Sequence, residues 1–203
     1  MTHSGNYYLS SSEMLDNARY IYNYFIAKGW TPNAICGMLG NIQTESTINP
    51  GIWQNLTINL DGGFGLVQWT PASNYRQWAN IRGLDPGAMN TNLARIEYEL
   101  DNGLQWIMVE RYLMTFREFT VSNYTPEYLA EIFLYSYERA GVEKLEQRKS
   151  NARYWYDTLY NGETPDPPVN PDEPDVPVNP GGSTKKKKGY NFVLFNKRRR
   201  IYG

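Results

Sequence analysis

One glutamate, Glu45, has the setting that acid–base chemistry requires. It comes at the end of a predicted helix, after apolar residues at helical spacing, and a glycine-rich segment, residues 62–69 (GGFGLVQW), follows it along the chain. A protonated carboxyl group can give its proton to a leaving glycosidic oxygen, and apolar surroundings favour the protonated form. The arrangement predicts general acid chemistry on a sugar bond. The alternative interpretation of Glu45 is a solvated residue at a helix end.

Two residues compete for the role of a second carboxylate. Glycosidases commonly use a pair of carboxyl groups that flank the bond to be broken. Asp61 lies next to the glycine-rich segment, although Asp-Gly is also a dipeptide typical of tight turns. Glu138 is the other candidate, with pairing to Arg139 or another surface base as its alternative. The sequence leaves both residues open.

The residues that other chemistries need are scarce. The chain has a single histidine, His3, and a single cysteine, Cys36. A serine–histidine–acid triad or a cysteine–histidine pair would have to use His3, and Cys36 lies on the apolar face of a predicted helix. A zinc site of the usual kinds and an intrachain disulfide are excluded, and no glycine motif for phosphate is present. The sequence predicts no cofactor, no metal and no nucleotide partner.

Helices dominate the elements that must position these residues. Apolar spacing predicts a first helix that ends near Gly29 and a second that begins at Thr31 with a proline in its first turn. Residues 46–70 lack helical spacing and predict a small β-hairpin or three-stranded sheet. Further helices are predicted at 72–82, 90–102, 104–118, 125–139 and 143–160. The predicted fold class is therefore α+β and mostly helical.

Charge and composition divide the chain into four segments. Residues 1–11 are predicted to be a flexible arm, and residues 12–160 a folded domain. Residues 161–184 carry five acidic and no basic residues and two copies of PVNP, which predicts a disordered, extended Pro-rich linker. Residues 185–203 form a tail with eight basic and no acidic residues, suited to an anionic partner. The chain shows no signal peptide and no apolar run of membrane-spanning length.

Three segments together resemble the phage tail lysozyme family, which is distantly similar to goose-type lysozymes and soluble lytic transglycosylases. They are residues 40–50 (GNIQTESTINP), residues 63–71 (GFGLVQWTP) and residues 137–141 (YERAG). The resemblance covers residues 12–160. It implies a lysozyme-like, two-lobed catalytic domain that cuts the glycan strand of peptidoglycan.

The resemblance also implies roles for single residues. Glu45 would protonate the glycosidic oxygen, and Asp61 would be the local candidate for the second catalytic carboxylate. If neither Asp61 nor Glu138 serves, the acetamido group of the substrate would assist. The residues implied to bind the substrate or to support the site are, in chain order, Ser46, Gly65, Leu66, Gln68, Trp69 and Tyr137.

Within that set each residue has its own implied task. Ser46 would support the loop beneath Glu45, while Gln68 and the backbone of residues 65–67 would hydrogen-bond the N-acetyl group. Trp69 would offer an apolar face to a sugar ring, and Tyr137 would line the cleft. Because aromatic residues make up 15% of the chain, packing in the core is the alternative for both of them.

Four interpretations of the function remain. The resemblance favours a muramidase of the phage tail, located in the virion, that opens the host wall while DNA passes into the cell. A lytic transglycosylase of the same fold is the second, and a lysis protein (endolysin) is the third. The fourth is a tail component that binds glycan without cutting it. The basic tail suits either the tail enzyme or the lysis protein, and it would bind an anionic wall polymer or virion tail proteins.

Overall fold

The structure is a computed structural model that describes residues 1–163 and Pro165. The predicted basic tail at 185–203 and nearly all of the predicted linker at 161–184 lie outside the described residues. The described part contains seven α-helices: α1 Ser11–Ala27, α2 Pro32–Ser46, α3 Ala72–Asn80, α4 Met89–Asp101, α5 Phe116–Thr120, α6 Pro126–Phe133 and α7 Leu145–Leu159. This agrees with the predicted mostly helical, lysozyme-like domain. None of the helices within residues 1–163 combines the length and apolar character needed to cross a membrane.

Helix α2 is the central element of the domain. It begins as predicted, since the Thr31 side chain accepts a hydrogen bond from the Ala34 amide at 3.2 Å and Pro32 occupies the first turn. Its predicted apolar stripe is fully buried: Ile35, Leu39 and Ile42. Helices α6 and α7 both pack extensively against α2. The helix ends one residue after Glu45, where Thr47 adopts a left-handed conformation with φ 51°.

Two glycines on α2 set how closely its neighbours approach. A Cβ atom on Gly37 would lie 2.8 Å from Leu129 Cβ of α6, and one on Gly40 would lie 2.4 Å from the Arg148 carbonyl oxygen of α7. Both distances are shorter than atoms can tolerate. Any side chain at these positions would therefore push α6 or α7 away from the end of α2 that carries Glu45.

The small β-element predicted between α2 and α3 is not confirmed. Within the described residues it is reduced to isolated antiparallel bridges, Trp53 with Phe64 and Phe64 with Trp69. Left-handed backbone at Asn55 (φ 53°) and Gln68 (φ 50°) interrupts the extended conformation that a longer ladder would need. The segment is therefore a compact loop rather than a sheet.

One predicted helix is wrong over most of its length. Residues 104–118 were expected to be helical, but a helix begins only at Phe116, after Thr115 has formed a capping box with Glu118. Gln105 has a left-handed backbone (φ 63°), and Trp106 stacks on Phe116 with ring centroids 4.7 Å apart. The apolar residues of this segment recur in a way that resembles helical spacing, yet they pack as an irregular loop.

The N-terminal residues are hydrogen-bonded to the rest of the domain. The sequence treats residues 1–11 as a flexible arm, whereas in the structure α1 begins at Ser11 and several preceding residues have partners. The His3 amide donates to Asn17 Oδ1 at 2.8 Å, and the Leu9 amide donates to Thr47 Oγ1 at 3.1 Å. The Leu9 contact lies at the turn that follows Glu45.

Candidate active site

Glu45 lies in the last turn of α2 and faces an arginine. Its Oε1 accepts a hydrogen bond from Arg148 Nη2 at 2.6 Å. The Arg148 side chain is 2% exposed, whereas that of Glu45 is 19% exposed and so remains reachable from solvent. The helix dipole disfavours a carboxylate at a C-terminal end, and the guanidinium offsets this effect. The apolar setting expected from the sequence is thus only part of the environment of Glu45.

Arg148 is held in place by polar groups of α2 and of the loop that precedes α7. Its Nε donates to the Glu143 carbonyl at 2.7 Å, and its Nη1 donates to Asn41 Oδ1 at 3.1 Å. Asn41 in turn donates to the Ala130 carbonyl of α6 at 3.0 Å. The guanidinium therefore reaches Glu45 in a fixed orientation. Arg148 was not predicted from the sequence to lie at the site.

A sequence signal for Arg148 did exist. Arg148, Asn151, Ala152 and Trp155 are all buried and follow each other at helical spacing on α7. An arginine on the buried face of a helix needs a partner for its charge. The spacing thus indicates that Arg148 pairs with an acid, although it does not reveal which one.

Glu138 provides a second carboxyl group near Glu45. It ends a π-helical turn, Leu134–Glu138, and its Oε1 atom is buried without a hydrogen-bond partner in the described structure. Burial raises the pKa of Glu138 well above its usual range, and the negative charge of Glu45 acts in the same direction, whereas Arg148 opposes both. Arg139, considered from the sequence as its partner, instead donates to the carbonyls of Gln105 and Ser136.

Ser46 connects Glu45 to the glycine-rich loop. Its hydroxyl is buried and donates to the Leu66 carbonyl at 2.8 Å. Gly65 has φ 82°, and a Cβ there would lie 2.6 Å from Asn92 Oδ1, which accepts a hydrogen bond from the Leu66 amide at 3.0 Å. Gln68 Nε2 donates to the Gly65 carbonyl at 3.0 Å. The structure thus brings four of the predicted residues together at one loop, where they bind one another.

Trp69 and Tyr137 lie in the core instead of on an open surface. Trp69 Nε1 donates to Glu99 Oε1 at 2.9 Å, and the Tyr137 hydroxyl donates to Glu99 Oε2. Tyr137 has no exposed surface. The core alternative weighed for these two aromatics describes their position.

Glu99 anchors this buried cluster and was not identified from the sequence. Arg95 Nε donates to Glu99 Oε1 at 2.7 Å, one helical turn away on α4. Burial raises the pKa of Glu99 above its usual value, while the hydrogen bonds from Tyr137 and Arg95 oppose that shift. The Arg95–Glu99 spacing was visible in the sequence, but an ion pair at this spacing is usually a solvated surface feature.

Asp61 is exposed. Its amide donates to Asn59 Oδ1 at 3.0 Å, a short-range contact typical of a turn. Its carboxylate is therefore accessible to water. Cys36 is fully buried, and burial raises the pKa of its thiol, which keeps it protonated. Within the described residues, no group of three or more His, Cys, Asp or Glu side chains is arranged to hold a metal ion.

Comparison with known proteins adds two findings. Residues 16–159 match the family described as phage tail lysozyme. The chain is also 55% identical over 160 residues to Morphogenesis protein 1 of Bacillus phage B103. That match covers 78% of this chain and 43% of the relative, so this chain spans less than half of the relative's length.

Proposed function

The chain belongs to the phage tail lysozyme family, and from this premise we propose that it is a peptidoglycan-degrading muramidase. It cleaves the bond between N-acetylmuramic acid and N-acetylglucosamine, with Glu45 as the general acid. The observation that carries the proposal is the position of Glu45. This carboxyl group is partly exposed, paired with a buried guanidinium and joined through Ser46 to the glycine-rich loop.

The surroundings of Glu45 suit both halves of the proposed step. The protonated carboxyl gives its proton to the glycosidic oxygen while positive charge develops on the sugar. The resulting carboxylate then has Arg148 Nη2 at 2.6 Å, which stabilises the charge that the acid acquires. Ser46 and Gln68 fix the loop that would face the sugar, since both side chains donate to its carbonyls.

The first test is the product. Because Asp61 offers an exposed carboxylate that water can reach, we expect hydrolysis, with reducing muramic acid ends. Purified peptidoglycan digested with the protein and analysed by mass spectrometry checks this expectation. Anhydro-muramic ends as the main product would replace the muramidase by a lytic transglycosylase of the same fold. Binding of wall glycan without any cleavage would contradict the enzymatic proposal and support a structural tail component that binds glycan.

The second test concerns Asp61 as the base that activates the water. General base catalysis is typically worth about 10²–10⁴ in rate, so we expect Asp61→Asn to slow wall cleavage at least about tenfold. Asparagine suits the turn as well as aspartate does, so folding should be unchanged. Asp85→Asn is the matched control, because Asp85 is also an exposed aspartate in a turn, and its Oδ1 accepts from the Gly87 amide at 2.9 Å. A loss of cleavage rate smaller than about twofold would exclude Asp61 as the base and favour assistance by the substrate's acetamido group.

The biological setting follows from the relative's name. Morphogenesis protein 1 is named for assembly, which favours a component of the virion over a lysis enzyme. We place the muramidase at the phage tail, where it opens the host wall while DNA passes into the cell. The basic tail at residues 185–203 would add attachment to an anionic wall polymer or to virion tail proteins. Detection of the protein in purified virions, at a fixed copy number, tests this placement.

A further inference from the structure

We propose that Glu99 is a positioning residue that links the glycine-rich loop to the π-helical turn and so places Gln68 for contact with the sugar. The loop comprises residues 62–69, and the turn comprises Leu134–Glu138. The inference rests on the proposed function, because the loop is the part of the site that would face the substrate. It assigns a task to a buried carboxyl group that the proposed cleavage step does not otherwise use.

The first support is the set of donors around this carboxyl group. Glu99 Oε1 accepts from Trp69 Nε1 at 2.9 Å and from Arg95 Nε at 2.7 Å. The other oxygen, Oε2, accepts from the Tyr137 hydroxyl. The Glu99 side chain is 1% exposed, so these hydrogen bonds are sheltered from water. The loop, helix α4 and the π-helical turn therefore meet at one carboxyl group.

The second support is that packing alone does not require an acidic residue at this position. A buried ion pair can often be replaced by apolar side chains of similar volume without loss of stability, because removing two charges from water is costly. What the acidic residue adds is direction, since hydrogen bonds to charged groups are short and hold their donors in a defined geometry. Glu99 thus holds Trp69 and Tyr137 in one arrangement, which apolar contacts alone would not specify.

The third support is the conformation of Gln68, which precedes Trp69. Gln68 is the one residue of the loop at 62–69 that is not buried, so it is the part of the loop that a ligand can reach. Its backbone is left-handed (φ 50°), which a residue other than glycine keeps only where its surroundings hold it. The indole of Trp69 contributes to that hold, because it donates to Glu99 and stacks on Tyr75 with ring centroids 4.3 Å apart.

The fourth support is that both linked segments are also fastened to α2, the helix that carries the proposed acid. The Ser46 hydroxyl holds the loop at the Leu66 carbonyl, at 2.8 Å. The π-helical turn continues α6, and Asn41 of α2 donates to the Ala130 carbonyl of α6 at 3.0 Å. Glu99 joins the loop to the turn directly, so its loss changes where the loop holds the sugar relative to the acid.

The kinetics of cleavage of soluble peptidoglycan strands test this role. In Glu99→Met the side chain keeps a similar length but accepts no such hydrogen bonds. We expect kcat to fall at least about tenfold, because a displacement of about 1 Å at a site can cost about 10²-fold in rate. KM should change less than about threefold, since a long strand keeps its other contacts. A folded Glu99→Met protein with the wild-type kcat would overturn the proposal.

The conservative substitution Glu99→Gln should restore the rate. The glutamine oxygen can accept from Trp69 and Arg95, and its amide can donate to the Tyr137 oxygen once that hydroxyl turns from donor to acceptor. We therefore expect kcat of Glu99→Gln to lie within about threefold of the wild-type value. A role in filling space alone would predict the opposite order, with methionine tolerated at least as well as glutamine, and this order would contradict the proposal.

A matched pair of substitutions covers the case in which Glu99→Met does not fold. Tyr137→Phe removes only the hydroxyl that joins the turn to Glu99, and we expect kcat to fall about threefold or more. Tyr112→Phe is the control, because Tyr112 is also buried and its hydroxyl also donates to a buried glutamate, Glu131. Its kcat should equal that of the wild type. Equal rates for the two variants would overturn the proposal.

A measurement without substrate separates this inference from the proposed function. In nitrogen-15 spectra the side-chain amide signals of Gln68, assigned as the pair missing in Gln68→Leu, should shift in Glu99→Met and in Tyr137→Phe. The same signals should keep their positions in Tyr112→Phe. Unchanged Gln68 signals in folded Glu99→Met and Tyr137→Phe proteins would refute the positioning role. Signals that shift as expected, in a protein whose wild type does not cut peptidoglycan, would refute the muramidase alone.

Discussion

Glu45→Gln is expected to lower peptidoglycan cleavage at least about a hundredfold, since general acid catalysis is typically worth about 10²–10⁴ in rate. Glutamine keeps the shape of the side chain and can still accept the hydrogen bond from Arg148, but it has no proton to deliver. Glycan binding should survive, because the loop held by Ser46 is unchanged. Release of soluble fragments from purified wall, and sedimentation of the protein with wall, measure the two properties separately.

The same variant should remain folded. Glu45→Gln leaves Arg148 with the Asn41 and Glu143 acceptors, and the glutamine side-chain oxygen can accept in place of Glu45 Oε1. We therefore expect the melting temperature to lie within a few degrees of that of the wild type, which corresponds to a change of about 1 kcal/mol in the free energy of unfolding. A folded Glu45→Gln protein that still cuts at more than about a tenth of the wild-type rate would identify another residue as the acid.

Local sequence signals predicted the helices that frame the site. Thr31 and Thr125 each precede a proline and cap α2 and α6, and such caps depend only on residues within one turn. The apolar stripe on α2 could be predicted from local sequence too, because residues at helical spacing share a face of the helix. The position of Glu45 at the end of that helix followed directly.

The partners of the site residues could not be predicted, because they lie far away along the chain. Arg148 is 103 residues from Glu45, and Tyr137 is 38 residues from Glu99. Periodicity indicates that a residue faces the core, but it does not indicate which residue of another element it meets. For the same reason the sequence did not indicate that Trp69 and Tyr137 both donate hydrogen bonds to Glu99.

The secondary structure of the loop segments was predicted wrongly for a different reason. Left-handed residues at Gln105 and Gln68 are not glycines, so nothing in their type indicates where the chain turns. Hydrogen bonds stabilise these conformations. Gln105 Nε2 donates to the Tyr137 carbonyl at 2.9 Å, and Gln68 Nε2 donates to the Gly65 carbonyl within the glycine-rich loop. Local propensity is overridden where such contacts outweigh it.

Arg148→Met should produce the largest loss of stability. It removes three hydrogen bonds from a side chain that is 2% exposed, and it leaves Asn41 Oδ1, the Glu143 carbonyl and the Glu45 carboxylate without this donor. Breaking a buried ion pair by removing one partner typically costs about 3–5 kcal/mol. Because the acidic side chains can take up protons, we expect the free energy of unfolding to fall by about 3 kcal/mol at neutral pH. This loss lowers the melting temperature by about 6–12 °C.

The cost should depend on pH in a defined direction. Burial raises the pKa of Glu138 and Arg148 opposes that shift, so without the guanidinium the pKa rises further, and stability is lost as the pH rises above the value at which glutamate ionises in the unfolded chain. Unfolding of Arg148→Met followed by circular dichroism should therefore differ from the wild type more at pH 8 than at pH 5. Arg153→Met is the matched control on α7, because Arg153 is 50% exposed and its pair with Asp157 should contribute less than about 1 kcal/mol.

A double-mutant cycle identifies Glu45 as the source of the cost. In Arg148→Met combined with Glu45→Gln, no carboxylate at position 45 remains to be buried without a counter-charge. The double variant should therefore be more stable than the sum of the single changes predicts, by about 1–3 kcal/mol. Arg148→Lys should fall between wild type and Arg148→Met, since lysine keeps the charge but cannot reach three acceptors with a planar fork. Additive losses in the cycle would show that Arg148 acts on packing alone, and that Glu45 does not depend on its charge.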